Sequence, residues 1–431
     1  MKRILDENPA KKHLLLLVLI FGLLLASFVT GCQPETKSTP KVELLPEAQT
    51  EPAPSPIVEP SPTPSLINVR SVTTQADFPQ SLTFNLEVES NSEITDIELR
   101  YKIKKVTMAV VTTTIKPDFT PANRVGTSWI WDTRKASLPP GAEIGYSWVI
   151  KNATGDRLKT EPARLIFDDS RYQWQELVMG KVRLFWHQGD QSFGQQLMDA
   201  AQAALGKLAR DTGAELEKQA KIYVYADSQD LHGALVFPQE WTGGVAFPEY
   251  GVIAIGISPS NLAWGKRTVA HELAHMVIHQ VTFNPYSDLP TWLDEGLAMY
   301  AEGDLRKDLE GMLTQAISAN TLFSVRSLGS GFPAEFKDAG LAYAESYSLV
   351  KFLIDNYGSE KMLNLLQVFK QGSGYDDALL TVYGFDIDGL DDLWRASFGL
   401  RYRPVTWFQT SLLDLALAFT VVYSPKAAGL A

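Results

Sequence analysis

The sequence predicts an α+β protein: an all-β sandwich of the immunoglobulin or fibronectin kind, then a mixed region with a small sheet that becomes mainly helical. Three observations predict it. Apolar residues recur at every second position between Leu66 and about Asp169. Short strand-like runs alternate with helical stretches from Gln173, and helical spacing dominates between Ile257 and Phe398.

In the first region the alternation is clearest at Leu82, Phe84, Leu86 and Val88. It returns at Leu99, Tyr101 and Ile103, and at Ile144, Tyr146, Trp148 and Ile150. Val106 to Ile115 is β-branched almost throughout, which favours extended backbone. Pro139-Pro140-Gly141 and Asn152-Ala153-Thr154-Gly155 separate the runs as turns. About seven short strands in ~100 residues fit a two-layer sandwich over residues 66–170. No cluster of histidines, carboxylates or nucleophile–base pairs falls in it, so a spacer or recognition role is expected.

Residues 171–400 read differently. Val182, Leu184 and Trp186 suggest a strand, and Asp190 caps a helix that runs to about Thr212 and stops at Gly213. Lys221 to Ala226 is another strand, and Gly243-Gly244 opens a further β stretch reaching Ile257. No repeat of about 20–50 residues interrupts this order.

At ~150 residues per domain, a chain of 431 residues allows two or three domains. The formal net charge of −11 and the lack of a basic stripe argue against a nucleic-acid partner, because phosphate recognition needs clustered Lys and Arg. A single cysteine, Cys32, excludes an intramolecular disulfide and any cysteine-based zinc cluster. Its position explains it. Lys2, Arg3, Lys11, Lys12 and His13 precede the apolar run Leu14 to Val29, which ends in Val29-Thr30-Gly31-Cys32. This resembles the bacterial lipoprotein signal box, which implies a signal peptide over residues 1–32, lipidation of Cys32 and an extracytoplasmic, membrane-anchored chain. Residues 33–65 carry nine prolines among Glu, Thr and Ser, the composition of a disordered or polyproline tether. Residues 401–431 form a C-terminal tail whose apolar run, Leu412 to Tyr423, is broken by Asp414 and suggests no function.

Chemistry concentrates at His271-Glu272-Leu273-Ala274-His275. Arg267 to Gln280 has helical spacing, so His271 and His275 lie ~40° apart in projection and ~6 Å apart along the axis. Both imidazoles can therefore reach one metal ion, and Glu272 points to the same cleft, where it can act as general base. His279 lies two turns from His271, ~12 Å along the axis, and cannot share that ion. A catalytic zinc site needs a third protein ligand. Downstream, Asp294, Glu295 and Glu302 are the candidates. Asp294 projects ~100° from Glu295, and Glu302, two turns on, suits an outer supporting role.

Trp292-Leu293-x-Glu295-Gly296-x-Ala298 resembles the second-helix motif of gluzincins, including the aminopeptidase N superfamily and the peptidase MA-like families. The resemblance covers about Trp174 to Leu400. It implies a thermolysin-like zinc peptidase domain with one catalytic Zn2+ held by His271, His275 and Glu295, acting on peptide or protein substrates. It further implies that Tyr343 steadies the oxyanion, with Tyr347, one turn on, as the alternative. Glu345-Ser346 stand where the family carries Lys-Gly. The aminopeptidase Gly-x-Met-Glu-Asn strand is also missing, since Gly243-Gly244-Val245-Ala246-Phe247 occupies its place. An endopeptidase is therefore favoured, while Glu249 keeps the aminopeptidase reading open. A reading of another class is a catalytically silent envelope protein that binds through its sandwich.

Overall fold

The computed structural model describes residues 66–106, 110–235, 243–332 and 336–399. The signal segment, Cys32, the tether and the tail lie outside the described residues. Among the described residues no helix is long and apolar enough to cross a membrane.

The N-terminal region is sheet-rich, as expected. Its strands are β1 (Ile67–Asp77), β2 (Ser81–Ile103), β3 (Thr112–Ile115), β4 (Ala122–Asp132), β5 (Ala142–Asn152), β6 (Arg157–Lys159) and β7 (Ala163–Phe167). All pair antiparallel within one hydrogen-bonded sheet. Seven short strands were expected, yet β2 alone spans 23 residues. Its first half pairs with β1 and β4, and its second with β3 and β5. The register shifts between Glu89 and Ile94. Burial accordingly passes from Leu82, Phe84, Leu86 and Val88 to Ile97 and Leu99, from even to odd positions. The two halves then face one another. Tyr101 in the second half packs on Trp129 and Trp131 of β4, with ring centroids 5.5 and 4.9 Å apart, and Phe84 meets Tyr146 of β5 at 5.0 Å. The sandwich is one sheet folded over.

The second sheet has the order β11-β12-β10-β9-β8, with β8 (Gln175–Met179), β9 (Val182–Trp186), β10 (Ala220–Tyr225), β11 (Gly244–Phe247) and β12 (Val252–Gly256). β9, β10 and β12 are parallel, and the two edge strands are antiparallel to their neighbours. Every residue of β10 and β12 is buried, as in a sheet covered on both faces. One face, with Ile222, Val224, Ile253 and Ile255, joins the helical core. The other, with Tyr223, Tyr225, Val252 and Ala254, joins the core of the N-terminal sandwich.

Polar bonds fix that junction. Asp169, fully buried, takes a fork from Arg171 at 2.8 and 2.7 Å and accepts from Tyr225 Oη at 3.1 Å. Lys221 Nζ donates to Gly141 O and Glu143 Oε1, both at 3.0 Å. Satisfied in this way, these charges can remain inside an apolar contact.

The helices are α1 (Gln191–Thr212), α2 (Ser228–His232), α3 (Leu262–Thr282), α4 (Thr291–Ala301), α5 (Lys307–Ala319), α6 (Phe336–Lys370), α7 (Tyr375–Tyr383) and α8 (Ile387–Ser397). α1 begins and ends as its sequence signals: Asp190 accepts from Phe193 N at 2.9 Å, and Gly213 adopts φ 71°. α6 breaks at Gly358, which has φ 81° and ψ 173°. α4 lies close against α6 at Gly296, where a Cβ atom would run into Ser346 O and Val350. Glycine is required there.

Candidate metal centre and catalytic cleft

α3 and α4 bring the metal candidates together. His271 and His275 lie one turn apart on α3, and Glu295 reaches across from α4. His271 Nε2 is 3.2 Å from His275 Nε2, and Glu295 Oε2 lies 3.4 and 3.6 Å from those two nitrogens. Three ligand atoms each about 2.0–2.1 Å from a tetrahedral ion would stand roughly 3.3–3.4 Å apart. Glu295 Oε2 is buried and takes part in no hydrogen bond, so the atom aimed at both imidazoles lacks the partner that an ion would supply. The donor set fits a divalent metal.

Two further carboxylates hold the imidazoles. His271 Nδ1 meets Glu302 Oε1 at 2.8 Å, and His275 Nδ1 meets Asp294 Oδ1 at 3.0 Å. With Nδ1 engaged, each ring presents Nε2 to the centre, the arrangement that orients histidine ligands in metal sites. Glu302 thus takes the outer role its spacing suggested. Asp294 does more than the sequence indicated, because its Oδ2 also binds His279 Nε2 at 3.0 Å. His279 is held from outside the triad.

The groups of this centre shift one another's protonation. Burial alone would lower the His271 pKa, but the carboxylates of Glu295 and Glu302 beside the ring outweigh burial and push it up to about 9. His275 is likewise raised, against burial, by Asp294 and Glu295. Burial would raise Glu295, yet His275 and His271 pull it down to about 2. Burial would raise Asp294 too, yet His275 and His279 hold it well below the usual carboxylate range. Glu272 goes the other way: it is buried and raised by desolvation, with His271 and His275 opposing only in part. A proton-accepting carboxylate beside a cation site is the result.

A cleft of about 780 Å³ opens over these groups, lined by His271, Glu272, His275, Glu295 and Tyr343 together with β11 and the loop between α3 and α4. β11 is the sheet's edge strand, and Gly244 on it lies so close to Glu272 that a Cβ would sit 2.8 Å from Oε1. Tyr343 projects from α6, and its hydroxyl pKa is raised by burial and then by Glu295, Glu272 and Glu302. Tyr347 packs on Tyr300 at 6.2 Å and does not line this cleft. Glu249 stands at the cleft wall, but its Oε2 is 2.5 Å from Lys105 Nζ of the N-terminal region.

Residues 200–399 match the family model of the Peptidase MA superfamily. The region that carries the site is therefore similar to the Peptidase MA superfamily over somewhat less than half of the chain. Among solved structures, OgpA from Akkermansia muciniphila is 11% identical with a TM-score of 0.19, over 23% of this chain and 27% of that one. Aminopeptidase A from Legionella pneumophila is 13% identical with a TM-score of 0.35, over 79% of this chain and 50% of that one. An aminopeptidase N family protein from Idiomarina loihiensis is 11% identical with a TM-score of 0.27, over 81% of this chain and 75% of that one. The chain thus spans about a quarter of OgpA and half of the Legionella protein. No curated protein matches it.

Two predictions follow from this geometry. Asp294→Asn removes the carboxylate that orients His275, and metal affinity should fall about 10–100-fold, read as metal retained after dialysis. Unchanged affinity would rule out the orienting role. Glu345, fully buried on α6, accepts Phe323 N–H at 3.1 Å, and its pKa is pushed up to about 8 by burial. Its proton is held more tightly in the folded state than in the unfolded one. Its own contribution to stability should therefore be full below the ordinary glutamate range and decline from there to about pH 8, by about 1.4 kcal/mol per unit. Glu345→Gln should flatten that slope in denaturant titrations and be the more stable protein near pH 8.

Proposed function

We propose that the chain is a lipid-anchored, extracytoplasmic zinc peptidase of the gluzincin type that cleaves within peptide chains. The observation that carries the reading is the convergence of His271 Nε2, His275 Nε2 and Glu295 Oε2 on one point at the floor of a cleft. Two imidazoles and one carboxylate are a zinc donor set, and they leave a fourth position open toward the cleft. Zinc bound there would polarise the scissile carbonyl and lower the pKa of water toward ~7.

The chain's own residues supply the rest. Glu272 accepts the proton of the attacking water and passes it to the leaving amine, a transfer for which its raised pKa suits it. Tyr343 Oη donates a hydrogen bond to the carbonyl oxygen as negative charge builds on it. An extended substrate pairs by strand addition with the outer edge of β11, which no other strand among the described residues takes, lying alongside Gly244 and over Glu272. Internal cleavage is favoured for two reasons. The stretch from Gly243 to Phe247 lacks the glutamate that would bind a free α-amine, and Glu249, the nearby substitute, is already paired with Lys105.

Metal analysis with peptide-library turnover tests this. Zinc should be stoichiometric and its chelation should abolish turnover. Glu272→Gln should lose about 10²–10⁴-fold in kcat with metal retained, and Tyr343→Phe about 10²-fold or more, whereas Tyr347→Phe stays near the parent. Stoichiometric zinc without turnover would favour the binding-protein reading instead. The anchor rests on Cys32 and its signal box: the parent should incorporate radiolabelled lipid in a bacterial host and Cys32→Ala should not, and a parent without lipid sinks that part.

A further inference from the structure

The cleft has a second arm of opposite character. On the far side of His271 and Glu272 lies a pocket of about 440 Å³, whose walls include Trp264, Arg267, Thr268 and Arg306. Gly244, His271, Glu272 and Tyr343 line both arms, so the reacting centre sits at their border. Among the described residues no lysine or arginine lines the larger arm, where Glu249 and Asp288 are found. The smaller arm has two guanidinium groups, with Glu302 the one carboxylate that lines this arm alone.

Their existing bonds leave capacity for a ligand. Arg267 lies one turn before His271 on α3. Its Nη1 donates to Asp304 O at 3.1 Å and is 3.6 Å from Glu302 Oε2. Glu302 in turn is engaged through Oε1 by His271 Nδ1 at 2.8 Å. Arg306 meets Asp308 Oδ2 at 3.1 Å in a pair exposed on both sides, a contact of little energy. Guanidinium forks match carboxylates in shape and charge, and Trp264 offers an apolar wall for the stem that carries one.

We propose that this arm is a carboxylate subsite, which makes the preferred substrate a peptide with an acidic group beside the scissile bond. With internal cleavage the carboxylate is an Asp or Glu side chain; a preference for the substrate's free C-terminus would instead overturn internal cleavage. The proposal rests on the peptidase reading and deepens it. A merely structural Arg267, propping Glu302 behind His271, would lower metal content and slow all substrates alike. A subsite changes the ratio between substrates, and Arg306, which touches neither His271 nor Glu302, isolates that effect.

The test uses the full chain with its metal content measured, and quenched-fluorescent peptides that differ only as Glu or Gln on each side of the bond. A second pair carries a C-terminal acid or amide. At one position kcat/KM should favour the acid by about tenfold or more, and whichever pair shows the preference identifies the source. The ratio should fall toward one in Arg306→Ala, invert in Arg306→Glu, and shrink as salt rises from about 0.05 to about 0.5 M. Equal cleavage of both members of every pair, or a preference that survives in Arg306→Ala and Arg267→Ala alike, overturns the subsite while leaving the peptidase reading standing. Calorimetric binding of the same peptides to Glu272→Gln separates the other case. Tighter binding of the acidic peptide, with no turnover of any peptide by the parent, supports the subsite and defeats the peptidase reading; equal binding with no turnover defeats both.

Discussion

The structure depends on a sheet that needs cover on both faces. β10 and β12 expose no residue to water, so two cores must form against them. Helices supply one and the folded N-terminal sheet supplies the other. An apolar strand left bare on one side would forfeit about 25 cal/mol for each Å² of apolar surface exposed. The constraint also reaches the site. Pairing to β12 fixes β11, and β11 fixes Gly244 against Glu272.

Around the centre, electrostatics and packing pull in one direction. Asp294 and Glu302 hold the two imidazoles from behind, and Glu295 faces them from the front. All three carboxylates belong to α4 or its C-terminal end, so the placement of a single helix sets the whole donor geometry. That placement is fixed by Gly296, whose missing side chain lets α4 lie against α6, the helix that carries Tyr343. The glycine of the motif is a packing residue. It positions its neighbour Glu295 without touching the reacting groups.

The sequence made the local features legible and hid those created by contact between elements. His271, Glu272 and His275 share one helix, where spacing alone determines direction, and the caps of α1 at Asp190 and Gly213 were equally readable. Glu295 needed a family resemblance, because nothing local says that a residue 20 positions downstream of His275 folds back over it. The hold of Asp294 on His275 was hidden for a physical reason. On an isolated helix Asp294 points away from Glu295, but where α4 crosses α3 both residues reach α3, one at the front of His275 and the other behind it. In the N-terminal region alternation identified the buried positions correctly. It could not show that Glu89 to Ile94 is an irregularity inside one long strand, since a polar run of that kind also suits a turn. Nor could it show what Tyr223, Tyr225, Val252 and Ala254 are buried against, because burial leaves the same trace in sequence whatever the neighbour.

The bond between Lys105 and Glu249 has a consequence for how such a chain can change over evolutionary time. A domain joined only by a linker can be exchanged, lost or duplicated with little effect on the domain that follows. Here the N-terminal sheet lends a lysine to the cleft wall, with Val106 N–H bonded to Glu249 O at 2.7 Å, and contributes half the cover of the catalytic sheet. A chain begun after residue 170 would present two tyrosines, a valine and an alanine of its central strands to water, and would release Glu249. The two regions are therefore coupled through this contact, and a change on one side of it alters the packing on the other.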